Sequence, residues 1–266
     1  MERVKRVVWV ISVMVISFIA NAVFSTSVRA QSDSLPDNES AKVMVVGSDL
    51  QITPTKKGLG EKRCTIPRLF NSVTKLCWDD GRSGDLKLTP EIEYWVITWK
   101  EKQGESIRVT LDSQLSLEPF PAIAMQRADG MIRLLAKNGI TTGEKLRFEP
   151  QWYKNTIGYW TVPQDSVRWS IEIDQPGDFS VGFLQGCGEG QGGSVAILEV
   201  MRGETVVATM EFETLETGHF QNFVWNTAGK ISLADSGQYQ VRVRPREIKA
   251  VALFDVRELH LVRQAK

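Results

Sequence analysis

The sequence predicts an all-β protein, with a jelly-roll β-sandwich in its C-terminal half preceded by a smaller β-rich domain. Three observations predict it. Residues 167–173 alternate Val, Trp, Ile and Ile with Arg, Ser and Glu, the period-2 pattern of a strand with one buried face. Short β-type runs then recur, separated by turns such as Pro176-Gly177-Asp178, Arg202-Gly203-Glu204 and Ser236-Gly237. Beyond the N-terminal apolar stretch no segment sustains a 3.6-residue apolar repeat, so helices should be few and short.

In chain order, residues 1–30 read as a secretory signal peptide. A basic opening, Met1 to Arg6, leads into an apolar run from Val7 to Phe24, and Val28-Arg29-Ala30 offers a cleavage site before Gln31. The rival reading is an uncleaved membrane anchor, which Ser12, Ser17 and Asn21 weaken. The expected location is therefore periplasmic or extracellular, with membrane contact only if the signal is retained. Residues 31–42, rich in Ser, Asp, Asn and Glu, read as a disordered linker because they lack the apolar surface that offsets ordering entropy. A β-rich domain follows at 43–126, with strands expected from Val43 and over 93–99 and 106–111. Pro119 and Pro121 interrupt that pattern, which places a boundary before Asp129-Gly130 and the jelly-roll domain at 127–266. Its further strands are expected at 179–185, 194–201, 205–212, 230–233, 238–243, 250–254 and 256–262.

Composition narrows the partners. Lys plus Arg number 32 and Asp plus Glu number 32, so no global positive field exists to attract nucleic acid. Cys64 and Cys77 lie in one segment and are expected to pair in an oxidising compartment, which would stabilise the fold by about 3 kcal/mol in the loop-entropy treatment. Cys187, between two glycines, is left as a buried thiol or a link to another chain.

Three ordered motifs carry a family resemblance. They are Gly158-Tyr159-Trp160-Thr161 running into Val167-Arg168-Trp169, the glycine-rich stretch from Leu184 to Gly193, and Thr217-Gly218-His219-Phe220-Gln221-Asn222-Phe223. Lys145 to Pro150 and Phe254-Asp255-Val256-Arg257 extend the match over about residues 128–262. Together they resemble the C-terminal module found after the catalytic domain of bacterial arylsulfatase-type sulfatases, especially planctomycete ones, and with some glycoside hydrolases. That module is in turn similar to the galactose-binding-domain-like carbohydrate-binding modules. The resemblance implies a non-catalytic jelly roll that binds carbohydrate, and the sulfatase association suggests a sulfated or acidic polysaccharide. Modules of the wider group often carry a structural calcium held by acids of the first strand. Here that stretch reads Leu134-Leu135-Ala136-Lys137, and Glu149 with Asp255 is too small an acidic set to predict a site, so no metal or cofactor is expected.

Catalytic motifs are weak in this sequence. The formylglycine motif of sulfatases has the form Cys-or-Ser-x-Pro-x-Arg, whereas Cys64-Thr65-Ile66-Pro67-Arg68 carries its proline one position late and Asp79-Asp80 after the cysteine. With His219 and His260 as the only histidines a multi-histidine zinc site is excluded, and no Gly-x-Ser-x-Gly turn supports a triad. The glycines of 186–193 do not precede a helix and lack the Gly-Lys-Ser/Thr ending, so they read as a bulge or tight loop needing positive φ. Two alternatives to a sugar-binding module stay open: a structural or protein-docking sandwich, and a sulfatase-like or glycan-processing enzyme with its site in 43–126.

Sugar sites on sandwiches combine an aromatic face with amide, carboxylate and hydroxyl groups. The candidate ligand-binding residues are accordingly Trp152, Tyr159 and Trp160 around Asn155 and Gly158, and His219 with Asn222 in a second, donor-rich loop beside Gln221. Trp169 alternates with Val167 and Ile171 and reads as core. Trp160 has two readings, core and ligand contact, and His219 has a second reading as a residue that fixes its own loop.

Overall fold

The computed structural model describes residues 35–118 and 122–265, so the expected signal peptide lies outside the described residues. The described residues belong to one compact unit with two hydrophobic cores.

The first core lies between two small sheets. Its elements are β1 (Ala41–Val46), β2 (Asp49–Pro54), α1 (Lys56–Glu61), β3 (Arg63–Pro67), β4 (Val73–Trp78), β5 (Lys87–Pro90), β6 (Tyr94–Thr98) and β7 (Ile107–Leu111). The sheets have orders β1-β2-β7-β4 and β3-β6-β5. Period-2 alternation sends Leu50 and Ile52 of β2 and Ile107, Val109 and Leu111 of β7 inward, to the same core as Ile66, Trp95 and Ile97. Thr55 caps α1, accepting from the Gly58 amide at 3.2 Å. Gly58 itself is required by packing, since a Cβ there would sit 2.1 Å from the Ser40 carbonyl.

Two expectations are corrected in this region. The stretch expected to be a disordered linker is, from residue 35 onward, packed: Leu35 and Ala41 are buried, and β1 already begins at Ala41. Its Asp and Asn side chains, read as disorder-promoting, instead satisfy local backbone. Asp37 accepts from the Val43 amide at 2.9 Å and Asn38 from the Ser40 amide at 2.9 Å. The expected Cys64–Cys77 disulfide is absent, and both thiols are buried and free. The chain between them does not fold back as one hairpin. It carries Cys64 into the three-stranded sheet, paired with Ile97, and Cys77 into the four-stranded sheet, paired with Arg108. The Cys64 thiol donates to the Ser40 carbonyl at 3.4 Å, and burial pushes its pKa up to about 12. A reductant is therefore expected to leave the thermal midpoint unchanged. A cross-link worth about 3 kcal/mol would instead make it fall by roughly 6–12 °C in a melting experiment.

The second core fills a jelly-roll sandwich. Its strands are β8 (Ala124–Met125), β9 (Met131–Leu135), β10 (Ile140–Thr142), β11 (Arg147–Glu149), β12 (Thr156–Gly158), β13 (Ser166–Ile173), β14 (Gly177–Cys187), β15 (Val195–Arg202), β16 (Thr205–Glu213), β17 (His219–Leu233), β18 (Gly237–Glu247) and β19 (Asp255–Arg263). One sheet has the order β10-β13-β18-β15-β16 with β8 parallel to β13; the other runs β11-β12-β19-β14-β17 with β9 beside β19. Trp169, Ile171, Phe179, Phe183, Val241, Leu259 and Leu261 are among the buried side chains between them. The sandwich recruits residues from before position 127: Ala124 pairs with Ile171, and Gln126 accepts from the Asp174 and Gln175 amides at 3.0 and 2.7 Å.

Two further differences bear on the site. The strand expected at 230–233 is the end of β17, which reaches back to His219 and pairs with β14 along its length. Register shifts at Val181/Gly182 and Gln185/Cys187, together with the exposure of an edge strand, erase the alternation that would have announced it. Conversely, 250–254 is a loop, buried through Leu253 and Phe254 and tied down where the Leu253 amide donates to the Trp160 carbonyl at 2.8 Å.

The two cores meet along a polar seam. The Val73 amide donates to the Pro150 carbonyl at 2.7 Å, Gln151 Nε2 to the Leu88 carbonyl at 2.7 Å, and Arg147 Nε to the Pro90 carbonyl at 2.7 Å. Lys137 pairs with Asp112 at 2.7 Å across the same seam.

Candidate functional site

A cleft of about 510 Å³ opens at one end of the sandwich. It is formed where the β11–β12 hairpin, the glycine-rich loop after β14, the first residues of β17 and the loop before β19 converge.

The β12–β19 pairing builds its floor. Ile157 opposite Val256 brings Asp255 beside Gly158, and the antiparallel β11–β12 hairpin places Glu149 on the same side. A methyl group on Gly158 would lie 2.5 Å from Glu149 Oε2 and 2.8 Å from Asp255 Oδ1, so only glycine lets both carboxylates close in. Lys154 forms a salt bridge and hydrogen bond with Glu149. Burial, opposed by the lysine, raises the Glu149 pKa; burial works against the Lys154 ammonium, but Glu149, Tyr159 and Asp255 outweigh it and leave its pKa raised. The two directions are compatible, because Lys154 faces two carboxylates while Glu149 shares its ammonium with Asp255. Burial, then the Glu149 charge, holds Asp255 well above the usual carboxylate range. A folded group that binds its proton more tightly than the unfolded one favours the fold at low pH. That contribution is lost as pH rises from the ordinary carboxylate range through the folded pKa. This floor does not suit calcium, which takes about six to eight oxygen ligands, because an ammonium already occupies the Glu149 carboxylate.

Tyr159 forms one wall. It sits in the left-handed region at φ 62°, a strained conformation for an aromatic residue, and the Arg147 guanidinium lies 3.6 Å from its ring centroid. Arg147 is fixed by donating to Pro90, Lys145 and Glu91, so the seam between the cores also positions this wall. Thr161, whose buried hydroxyl has no hydrogen-bond partner, lines the cleft two residues on.

The opposite wall depends on glycine. A Cβ on Gly186 would meet the Phe220 carbonyl at 2.1 Å and one on Gly188 the Phe220 ring at 2.7 Å, so the loop can lie flat on β17. Positive φ occurs at Gly190 and Gly193, as the sequence predicts for this loop. Gln191 Oε1 accepts from the Val251 and Ala252 amides at 2.9 and 3.3 Å. His219 Nδ1 accepts from the Gln221 amide at 3.0 Å, which puts the proton of the neutral ring on Nε2. Cys187 is a buried, free thiol behind this wall, its pKa pushed up to about 11 by burial and then by Glu216 and Asp255.

The structure thus brings Tyr159 and His219 together and separates the other candidates. Trp160 is a core residue at 0% exposure: its ring stacks on Phe254 at 5.5 Å and Nε1 donates to the Asp165 carbonyl at 3.0 Å. The left-handed turn at Tyr159, just past β12, puts its own ring in the cleft while the Trp160 ring is buried in the core. Asn222 holds the turn before β17, donating to the Thr217 carbonyl at 2.7 Å, and does not line the cleft. Trp152 is 70% exposed and lines a different cleft of about 400 Å³ with Asp112, Arg133 and Arg257. Trp169 is core, with Nε1 donating to the Leu135 carbonyl at 2.9 Å. Sequence reasoning missed Lys154, Thr161 and Gln191, and named Glu149 and Asp255 only in connection with calcium.

Fold and cleft together define a jelly-roll module with a solvent-open site at its loop end. No protein-family model matches the chain, and no curated protein matches it. Among solved structures it is similar to the C-terminal CBM6 of a laminarinase from Zobellia galactanivorans, at 14% identity over 50% of this chain and 99% of that one, with a TM-score of 0.38. It is likewise similar to a CBM6 of Clostridium stercorarium in complex with cellobiose, at 13% identity over 54% and 98% of the chains with a TM-score of 0.40. An α-L-fucosidase from a Vibrio strain matches 86% of this chain at 14% identity and a TM-score of 0.35; this chain spans 41% of that enzyme. Likenesses of this strength assign no ligand to the chain.

Proposed function

We propose that the chain is an exported, non-catalytic module that binds carbohydrate in the cleft between Tyr159 and His219. The observation that carries the reading is the convergence there of an aromatic ring with hydrogen-bonding groups from separate loops: Lys154, Thr161, Gln191, His219 and Gln221. An apolar wall fixed beside a few placed polar groups is the arrangement that recognises a sugar ring. Against an enzyme stands the placement of the cleft's two acids. Both approach Gly158, one is tied to Lys154, and among the described residues no other acid lines the cleft to flank a scissile bond. A sulfated or acidic polysaccharide, the ligand class suggested by the sulfatase-module resemblance, would have to find its cations here, and among the described residues Lys154 is the one lysine or arginine lining this cleft. Export rests on residues 1–30 and is checked by N-terminal sequencing of the secreted protein, expected to begin at Gln31.

The test is a glycan array probed with the purified chain. Binding is expected, with Tyr159→Ala reducing affinity about tenfold, a loss of roughly 1.4 kcal/mol. Trp152→Ala, on the other cleft, is expected to leave affinity unchanged. Absence of binding to every neutral, amino and acidic glycan would overturn the reading and favour a docking or structural sandwich.

A further inference from the structure

The cleft floor contains an imbalance that a ligand must correct. Asp255, the first residue of β19, is 7% exposed, and no described group donates a hydrogen bond to its carboxylate. Its charged neighbours are Glu149 and Lys154, and Lys154 is hydrogen-bonded to Glu149. The nearby Cys187 thiol is held in its neutral form. One ammonium thus faces two carboxyl groups, so Asp255 at the bottom of an open cleft has, among the described residues, no cation or donor of its own. Thr161, a residue of the same cleft, adds a second sign, a buried hydroxyl without a partner. Buried polar groups are nearly always paired, and those left unpaired at a cleft floor are the groups a ligand satisfies.

We propose that the cleft takes an uncharged or amine-bearing sugar whose hydroxyl or ammonium group donates to Asp255, and that it rejects sulfated and other anionic glycans. This rests on the glycan-binding reading and fixes its charge class. A sugar hydroxyl or ammonium supplies the charge-assisted hydrogen bond the carboxylate lacks. A sulfate supplies only acceptors and brings like charge to a low-dielectric floor whose single ammonium is already engaged. Rotation of the Thr161 side chain toward the ligand then gives its hydroxyl the partner it lacks.

The experiment measures the affinity of the purified chain for matched backbones: cellulose against cellulose sulfate, agarose against carrageenan, and chitosan. Unsubstituted or amine-bearing forms are expected to bind at least tenfold tighter than sulfated ones. Asp255→Asn is expected to abolish that preference by losing tenfold or more on the favoured glycan, while the fold is retained because an isosteric amide replaces the carboxyl group and the Glu149–Lys154 pair remains. Thr161→Val provides a milder variant, expected to lose a few-fold in affinity and keep the fold. Tighter binding of the sulfated forms, or full affinity in Asp255→Asn, would overturn the inference and leave the glycan reading standing. Absence of binding to every form would overturn both.

Discussion

Trp160→Ala is expected to destabilise the chain by about 3–5 kcal/mol, the range for emptying a large aromatic site in a packed core. The indole is fully buried, stacks on Phe254 at 30° between planes, and closes a hydrogen bond to the Asp165 carbonyl. Asp165 in turn holds the preceding turn, accepting from the Glu144, Lys145 and Leu146 amides at 2.6, 3.0 and 2.7 Å. Loss of the ring therefore opens a cavity and slackens the anchor of the loop that carries Tyr159 and Thr161. Equilibrium denaturation reads this out as a lower midpoint with an unchanged slope. A loss under about 1 kcal/mol would show that the ring is not part of the core.

Arg147→Ala is expected to cost about 2–4 kcal/mol and to weaken glycan binding as well, because one side chain serves two structures. Its guanidinium is almost wholly buried, donates to the Pro90 and Lys145 carbonyls, and pairs with Glu91 at 3.3 Å. Truncation leaves those acceptors without a partner at the seam between the two cores. It also removes the cation lying against Tyr159, whose strained backbone then loses a support. Arg147→Lys is not expected to rescue the fold, since an ammonium cannot reproduce a planar fork that donates in several directions while stacking on a ring. Denaturation of both variants checks this; a lysine variant as stable as the parent would show that charge alone is needed.

The legible parts of the fold are those where one face of a strand is buried against a sheet. β13 reads directly from Val167, Trp169, Ile171 and Ile173, all of which are buried. β17 does not, because it is a bulged edge strand with mixed exposure, and its first residues look like a loop. The Cys64–Cys77 pairing fails for a related reason: proximity along the chain says nothing about which of two sheets each strand joins. At the site, Tyr159 and His219 were found through local chemistry, an aromatic after glycine and a donor-rich stretch. Asp255 and Glu149 lie far apart in sequence and meet through the single register Ile157–Val256, which no local pattern encodes. Trp160 is ambiguous in sequence because it follows a left-handed residue outside any strand, where no alternation assigns a side.

Ligand entry is expected between Tyr159 and His219. It is tested most directly by titrating the isotopically labelled chain with the best-bound oligosaccharide of the array and mapping the perturbed amides by NMR. Perturbations are expected to centre on Tyr159, Thr161, Gln191, His219 and Gln221, with Trp152 and its cleft unaffected. Perturbations centred on Trp152, or on the exposed Trp225 that packs against His260, would contradict the account.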